Sequence, residues 1–140
     1  MTDLSGHHAV VTGGGTGIGA AIAKALSQAG AMVSVMGRRI DTLEAVAAAH
    51  PLCAAISIDV TDESCVEAAM ASARQRAPVT ILINNAGSAE TAPLAKTSIE
   101  LWNRMMALNL TGTFLCSRAL LQRLLPQRVG GSSRWPAPQG

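Results

Sequence analysis

The sequence predicts a doubly wound α/β domain, a parallel sheet covered by helices on both faces. Three observations carry that expectation. Strand-like and helix-like segments alternate along the chain, the strand-like runs are apolar almost throughout, and a glycine cluster occupies the first strand-to-helix junction. Alternation at this spacing implies parallel strands with right-handed crossovers, because each helix returns the chain to the start of the next strand. Strands buried on both faces lose the polar–apolar alternation of a half-exposed sheet and read as continuous aliphatic runs.

The elements follow in order. His8-Ala9-Val10-Val11 is the first strand, closed by Gly13, Gly14 and Gly15. Ile18, Ala21, Ile22, Ala25, Leu26 and Ala29 recur at the spacing of one helix stripe, and Gly30 stands where a helix C-terminal glycine belongs. Met32 to Met36 is the second strand. Asp41 followed by Glu44 has the pattern of a capping box, opening a helix from Thr42 to His50 that Pro51 stops. Ala54 to Ile58 reads as the third strand, and Asp62 to Arg76 as an alanine-rich helix ended before Pro78. Val79 to Ile83 is β-branched at nearly every position, as a fourth strand buried on both faces should be. After a loop through Pro93, Thr97 with Glu100 repeats the capping-box pattern and opens a long helix reaching Leu125. The expected sheet order is 3-2-1-4, the fifth and later strands of such a sheet being absent.

From Gly130 onward there is no periodicity and no aliphatic side chain larger than alanine. Residues 1–128 therefore read as one incomplete domain and residues 129–140 as a disordered tail.

Composition narrows the function classes. Hydrophobic residues make up 49% and charged residues 14%, which is a core-forming balance. A net charge of +2 is too weak to argue for nucleic acid or a membrane surface. No apolar run approaches the roughly 18 residues that span a bilayer, and the N-terminus lacks the pattern of a secretory signal, so the expected setting is cytoplasmic. Cys53, Cys65 and Cys116, like His7, His8 and His50, have no metal-ligand spacing; reduced thiols and no metal are expected.

Two motifs carry chemistry. In Thr12-Gly13-Gly14-Gly15-Thr16-Gly17-Ile18-Gly19 the glycines follow G-x-x-x-G-x-G between a strand and a helix. A dinucleotide's pyrophosphate at such a junction needs a sharp turn out of the strand, a backbone it can approach without a Cβ, and a helix packed tightly on the sheet. Gly13, Gly17 and Gly19 can supply these, and the free N–H groups at the helix start then face the anion. Asn84-Asn85-Ala86-Gly87 follows the fourth strand. Ligands of open α/β sheets bind beyond the carboxyl ends of the strands, where the strand order reverses.

With Asp59-Val60 after the third strand and Leu108-Asn109-Leu110-Thr111-Gly112-Thr113-Phe114 in the long helix, these motifs resemble the short-chain dehydrogenase/reductase family, a Rossmann-type fold. The likeness runs from residue 4 to about residue 128, in order and at family-like spacing. The resemblance implies that Gly13, Gly14, Gly15, Thr16, Gly17, Ile18 and Gly19 hold the pyrophosphate and ribose. It implies that Asp59 and Val60 border the adenine, and that Asn85, Ala86 and Gly87 lie along the nicotinamide ribose. Asn109 would break its helix locally and hold a water in a proton relay. The residues after the second strand set cofactor choice: an acidic side chain would bond the ribose 2′-hydroxyl of NAD, whereas arginine pairs with the 2′-phosphate of NADP. Here Arg38 and Arg39 stand there with no carboxylate until Asp41, which favours NADP(H) over NAD(H).

The implied activity is hydride transfer on a small-molecule alcohol/carbonyl pair, 3-oxoacyl thioester reduction being one substrate class, by a homo-oligomer. In the family a tyrosine is the acid/base, a lysine four residues later lowers its pKa, and a serine polarises the carbonyl. This sequence has no tyrosine, and its lysines, Lys24 and Lys96, lie upstream of Asn109. The chain is thus expected to be truncated relative to the family and inactive as it stands. Read one base out of frame, codons permitted for residues 130–140 can encode an apolar strand running into a serine loop, so the tail is expected to be a frameshift product. The alternatives to an enzyme are a non-catalytic dinucleotide-binding module and an unstable fragment.

Overall fold

A computed structural model describes residues 2–125. Among them four parallel strands form one sheet: β1 (His8–Thr12), β2 (Met32–Gly37), β3 (Cys53–Ser57) and β4 (Ile81–Ile83), in the order β3-β2-β1-β4. The chain builds outward from β1 to β3, then crosses back to place β4 on the other side of β1. The carboxyl ends of β1 and β4 therefore diverge at the point where strand order reverses, which is where such sheets form their ligand crevice.

Side chains alternate across the sheet with period two. Val11, Val33 and Val35 meet Ala23 of α1 (Gly17–Gln28) and Leu43 of α2 (Ile40–Ala48) on one face. Val10 and Met36 meet the other layer, Val66, Met70 and Ala73 of α3 (Glu63–Arg76) with Leu115, Cys116 and Ala119 of α5 (Gly112–Leu124). Burial at Cys116 pushes its thiol up to about 11, so it packs as a neutral apolar group.

One polar network is sealed into the second layer. His8 and Ser34 are both buried. Nδ1 of His8 lies 2.9 Å from the Ala77 carbonyl and Nε2 lies 2.9 Å from the Ser34 hydroxyl. The carbonyl can only accept, so Nδ1 carries the proton and Nε2 accepts from Ser34. Arg76 donates in turn to Ser34 Oγ (2.9 Å), to the Val33 carbonyl (2.8 Å) and to the Leu52 carbonyl (3.2 Å).

Several boundaries differ from the sequence reading, each for a local reason. The stripe of α1 is rotated: Ile18 is 74% exposed and Ala21 and Ala25 face outward, while Gly19 and Ala23 face the sheet. Gly19 sets that rotation, because a Cβ there would overlap the Gly13 carbonyl oxygen; the helix can approach β1 this closely only along its glycine. Helix α2 begins at Ile40, with Arg39 in the cap position and Thr42 Oγ1 donating to the Arg39 carbonyl (2.9 Å). Asp41 caps nothing; it sits in the first turn beside Arg39 at 3.4 Å. Ser98, not Thr97, caps α4 (Ile99–Met106), accepting from the Leu101 N–H at 3.0 Å. Strand β3 is shifted one residue toward the N-terminus. Strand β4 is shorter than expected, because Val79 turns into the α3–α5 layer and pairing starts only after Thr80 donates to the His8 carbonyl (2.9 Å). The long helix is continuous from α4 through a π-helical turn, Ala107–Thr111, into α5. The tail at 129–140, with the frame shift expected there, lies outside the described residues.

Candidate functional site

Thr12, the last residue of β1, organises the crevice. Its Oγ1 accepts from the N–H groups of Asn85 (3.1 Å) and Ala86 (3.0 Å) and donates to the Ile83 carbonyl (3.4 Å). Asn85 Nδ2 donates back to the Gly13 carbonyl at 3.1 Å. The glycine turn and the Asn-Asn-Ala-Gly loop are thus fastened to one another across the gap between β1 and β4. Gly13 makes the junction possible: its φ is +65°, and a Cβ would lie 3.0 Å from both Ala86 Cα and Asn85 Nδ2.

The turn then leads into α1. Gly14 donates to the Met36 carbonyl (3.2 Å), tying the turn to β2, and Gly15 packs on Thr42. Thr16 occupies the cap position, yet its side chain makes no capping bond and the first turn holds no acidic residue. Gly17 has a φ of +54°, and no heavy atom lies within 4 Å of where its Cβ would stand. An uncapped helix start beside a bare glycine can accommodate an anion, since free backbone N–H groups and the positive end of the helix dipole are available there.

A cleft of about 390 Å³ opens beside this turn, within the usual range for a ligand site. Six of the sequence-identified residues line it: Gly13, Arg38, Asp59, Val60, Ala86 and Gly87. Gly14 to Gly19 form the turn alongside, and Asn85 braces it from behind. Arg39 is turned away, paired with Asp41. Asp59 Oδ1 accepts from the Thr61 N–H (3.0 Å) and hydroxyl (2.7 Å). Those two bonds hold its carboxyl below the ordinary range, and the charge of Arg38 adds to them. Asp59 is therefore an anionic acceptor at neutral pH, and among the described residues its Oδ2 has no hydrogen-bond partner.

Val60 is buried against the long helix, where Gly112 leaves room for it; a Cβ at Gly112 would lie 2.7 Å from Val60 Cγ2. Asn109 sits in the π-helical turn. Its Nδ2 donates to the Ser88 carbonyl (2.8 Å) and the Met105 carbonyl (3.0 Å), while Oδ1 accepts from the Ser88 N–H (3.1 Å). The amide is thus spent on fastening the loop after β4 to the helix.

The sequence reading gave no role to Thr12, Thr61, Ser88, Glu90, Arg104, Met105, Leu108 or Gly112. Only Thr12, Leu108 and Gly112 had a signal, each standing inside a motif already singled out. Thr61 and the remaining residues form the cleft rim, and nothing in their spacing marks them.

Residues 7–132 match the family model described as short chain dehydrogenase. The protein named inactive 2-(S)-hydroxypropyl-CoM dehydrogenase 2 of Xanthobacter autotrophicus is 43% identical over 111 residues, covering 78% of this chain and 48% of that protein. Gluconate 5-dehydrogenase of Gluconobacter oxydans is 36% identical over 135 residues, covering 93% of this chain and 53% of the relative. Among solved structures, the 3-ketoacyl-(acyl-carrier-protein) reductase from Brucella melitensis, complexed with NADH, superposes with a TM-score of 0.82 at 28% identity, over 86% of this chain and 50% of that one. The chain spans about half the length of the curated relatives it matches. Among the described residues no helix is long and apolar enough to cross a membrane.

Proposed function

The chain belongs to the short-chain dehydrogenase family, and on that premise we propose that residues 1–128 form the dinucleotide-binding unit of an NAD(P)(H)-dependent oxidoreductase. The reaction is hydride transfer between the nicotinamide and an alcohol/carbonyl pair. One observation carries the reading: the glycine turn and the Asn-Asn-Ala-Gly loop are bonded together at the sheet's reversal point, around a cleft that also presents Arg38 and Asp59. In this reading the uncapped start of α1 holds the pyrophosphate, Asp59 and Val60 border the adenine, and Asn85 to Gly87 follow the nicotinamide ribose. Bound there, the nicotinamide supplies or accepts the hydride.

Arg38 decides the choice of cofactor. It lines the cleft just after Gly37, without a carboxylate beside it on β2, so a 2′-phosphate gains a charge-assisted partner and NADP(H) is favoured over NAD(H). Arg39 does not line the cleft and reaches instead toward Asp41 at 3.4 Å, so it contributes less. For the substrate, the likeness to a 3-ketoacyl reductase supports 3-oxoacyl thioesters as one class. Trp102, Leu110, Phe114 and Leu121 are each more than half exposed along the long helix, an apolar face that favours a homo-oligomer.

A second reading is favoured by one fact. The 140 residues contain no tyrosine, so on their own they are a dinucleotide-binding module that lacks the family's acid–base group. Asn109, fastened to Ser88, would then hold the loop in place while its proposed relay has no tyrosine to serve. Titration of the purified protein with NADPH and NADH, followed by nicotinamide fluorescence, tests the shared core of both readings. Saturable binding with NADPH the tighter ligand is expected. No response to either cofactor overturns both, and turnover of an alcohol or 3-oxoacyl thioester by these 140 residues alone overturns the second.

A further inference from the structure

The segment from Gly87 to Ser98 lines the cleft with Gly87, Ser88 and Glu90 and contains one short regular element, a 3-10 turn at Leu94–Lys96. Its path is set instead by a row of links to the long helix. Ser88 uses both backbone groups on Asn109, at 3.1 and 2.8 Å. The Glu90 N–H donates to Met105 Sδ at 3.5 Å. The Glu90 carboxylate accepts from two nitrogens of Arg104, Nε at 3.3 Å and Nη2 at 2.9 Å. As the strap advances from 88 to 90 its partners recede from 109 to 104, so strap and helix run antiparallel and are joined about once per helical turn. Ser88, Glu90, Arg104 and Met105 all line the cleft that Asp59 and Thr61 also line.

We propose that Glu90 and Arg104 are positioning residues for this cleft: their ion pair clasps the strap to α4 and so sets the width available to the bound dinucleotide. The proposal rests on the cleft's being the dinucleotide site. An exposed ion pair ordinarily contributes little, and both partners here are about half exposed. Three features set this one apart. Its contact is two-pronged, which fixes direction as well as distance. It joins segments fourteen residues apart across a loop. Between Ser88 and Ser98 the strap's other hydrogen bond to the long helix among the described residues is the Glu90 N–H to Met105 Sδ, so losing the pair loosens the strap beyond Ser88 and not one side chain alone.

The test uses the full 140-residue chain with Glu90→Gln, Arg104→Gln and the charge-swapped double variant Glu90→Arg/Arg104→Glu. NADPH affinity, melting temperature and amide hydrogen exchange over residues 88–98 are measured for each. The single variants should weaken NADPH by roughly 3- to 10-fold, with melting temperature changed by no more than about 2 °C. They should exchange faster over the strap, and the swapped pair should restore both affinity and protection. The affinity loss should shrink at about 0.5 M salt, where exposed charges are screened. Should a glutamine variant fail to fold, Arg104→Lys serves instead; it keeps the charge but loses the fork, and should lose part of the affinity. If the unmutated chain binds NADPH and the single variants match it, the clasp is wrong while the reading of the site stands. If the unmutated chain binds no cofactor, the reading of the site fails, and unchanged strap exchange in the variants then refutes the clasp as well.

Discussion

Replacing Gly17 with alanine adds one methyl group to a backbone position with a φ of +54°, and no heavy atom lies within 4 Å of where that methyl would stand. The left-handed conformation costs an alanine roughly 1 kcal/mol, and there is nothing for the methyl to strike. For a domain of this size that corresponds to a fall of roughly 3–5 °C in melting temperature. Replacing Gly19 has the opposite profile. Its Cβ would overlap the Gly13 carbonyl oxygen and lie 2.5 Å from Asn85 Nδ2. No side-chain rotation relieves an overlap with backbone, so α1 must back away from β1. Overpacking of that kind costs about 3 kcal/mol, offset by about 1 kcal/mol from the better helix propensity of alanine. A net 2 kcal/mol lowers the melting temperature by roughly 6–10 °C.

Cofactor affinity should separate the two variants. At Gly17 the methyl fills the space through which a pyrophosphate reaches the helix start, so NADPH affinity should fall by at least about 30-fold, or about 2 kcal/mol, in a protein that is still folded. At Gly19 affinity should fall together with stability, because the Asn85–Gly13 bond that joins the two motifs is strained. Thermal melts and fluorescence titrations on the same samples measure both quantities. A Gly17→Ala protein that binds NADPH like the unmutated one would refute the placement of the anion at this turn. A Gly19→Ala protein that melts at the unmutated temperature would refute the packing argument.

Three further outcomes are expected. Arg38→Asp should reverse the preference for NADPH over NADH, and equal affinities in the unmutated protein would remove the basis for it. His8 makes stability depend on pH: burial lowers its pKa below 6.5, aided by the Arg76 charge and opposed by the Ala77 carbonyl. The unfolded chain therefore takes up the proton first on acidification, so stability is complete above about pH 6.5 and declines below it. His8→Gln, which keeps a donor and an acceptor in place, should flatten that decline in melts between about pH 7 and 5; an unchanged slope would assign the pH dependence elsewhere. The 140-residue chain should also self-associate, because the half-exposed strand β4 and the apolar side chains of α4 and α5 lie open among the described residues. A monodisperse monomer in sizing chromatography, with a cooperative melt raised by NADPH, would contradict this.

The sheet and its order were legible because they depend on features a sequence states directly. Aliphatic runs such as Ala9-Val10-Val11 and Met32 to Met36 can be buried only between two helical layers, and the lengths between them leave room for one helix each. What periodicity could not supply was orientation. Of the five stripe residues within α1, Ile18, Ala21 and Ala25 face solvent, because the close contact at Gly19 fixes which side of the helix meets the sheet. Capping failed for a similar reason. Asp41 and Glu44 have the spacing of a box, but α2 has already begun at Ile40, so the motif lies inside the helix it was expected to start.

The candidate site divides along the same line. Residues that must be glycine, or that stand next to one, announce themselves: the turn at Gly13 to Gly19 and the loop at Asn85 to Gly87 each sit at the end of an aliphatic run, and the sheet order then brings them together. Residues that shape the opposite wall act through partners distant in sequence and ordinary in type. A glutamate in a loop and an arginine on a helix read, from sequence, as two solvated charges. Only when the strap is seen running antiparallel to α4 do Glu90 and Arg104 become a pair, and only then does Asn109 become the next link in the same row. The turn proposed to meet the anion is thus fixed by local backbone chemistry. The cleft's far wall is fixed by tertiary contacts, so substitutions there should alter affinity without abolishing the site.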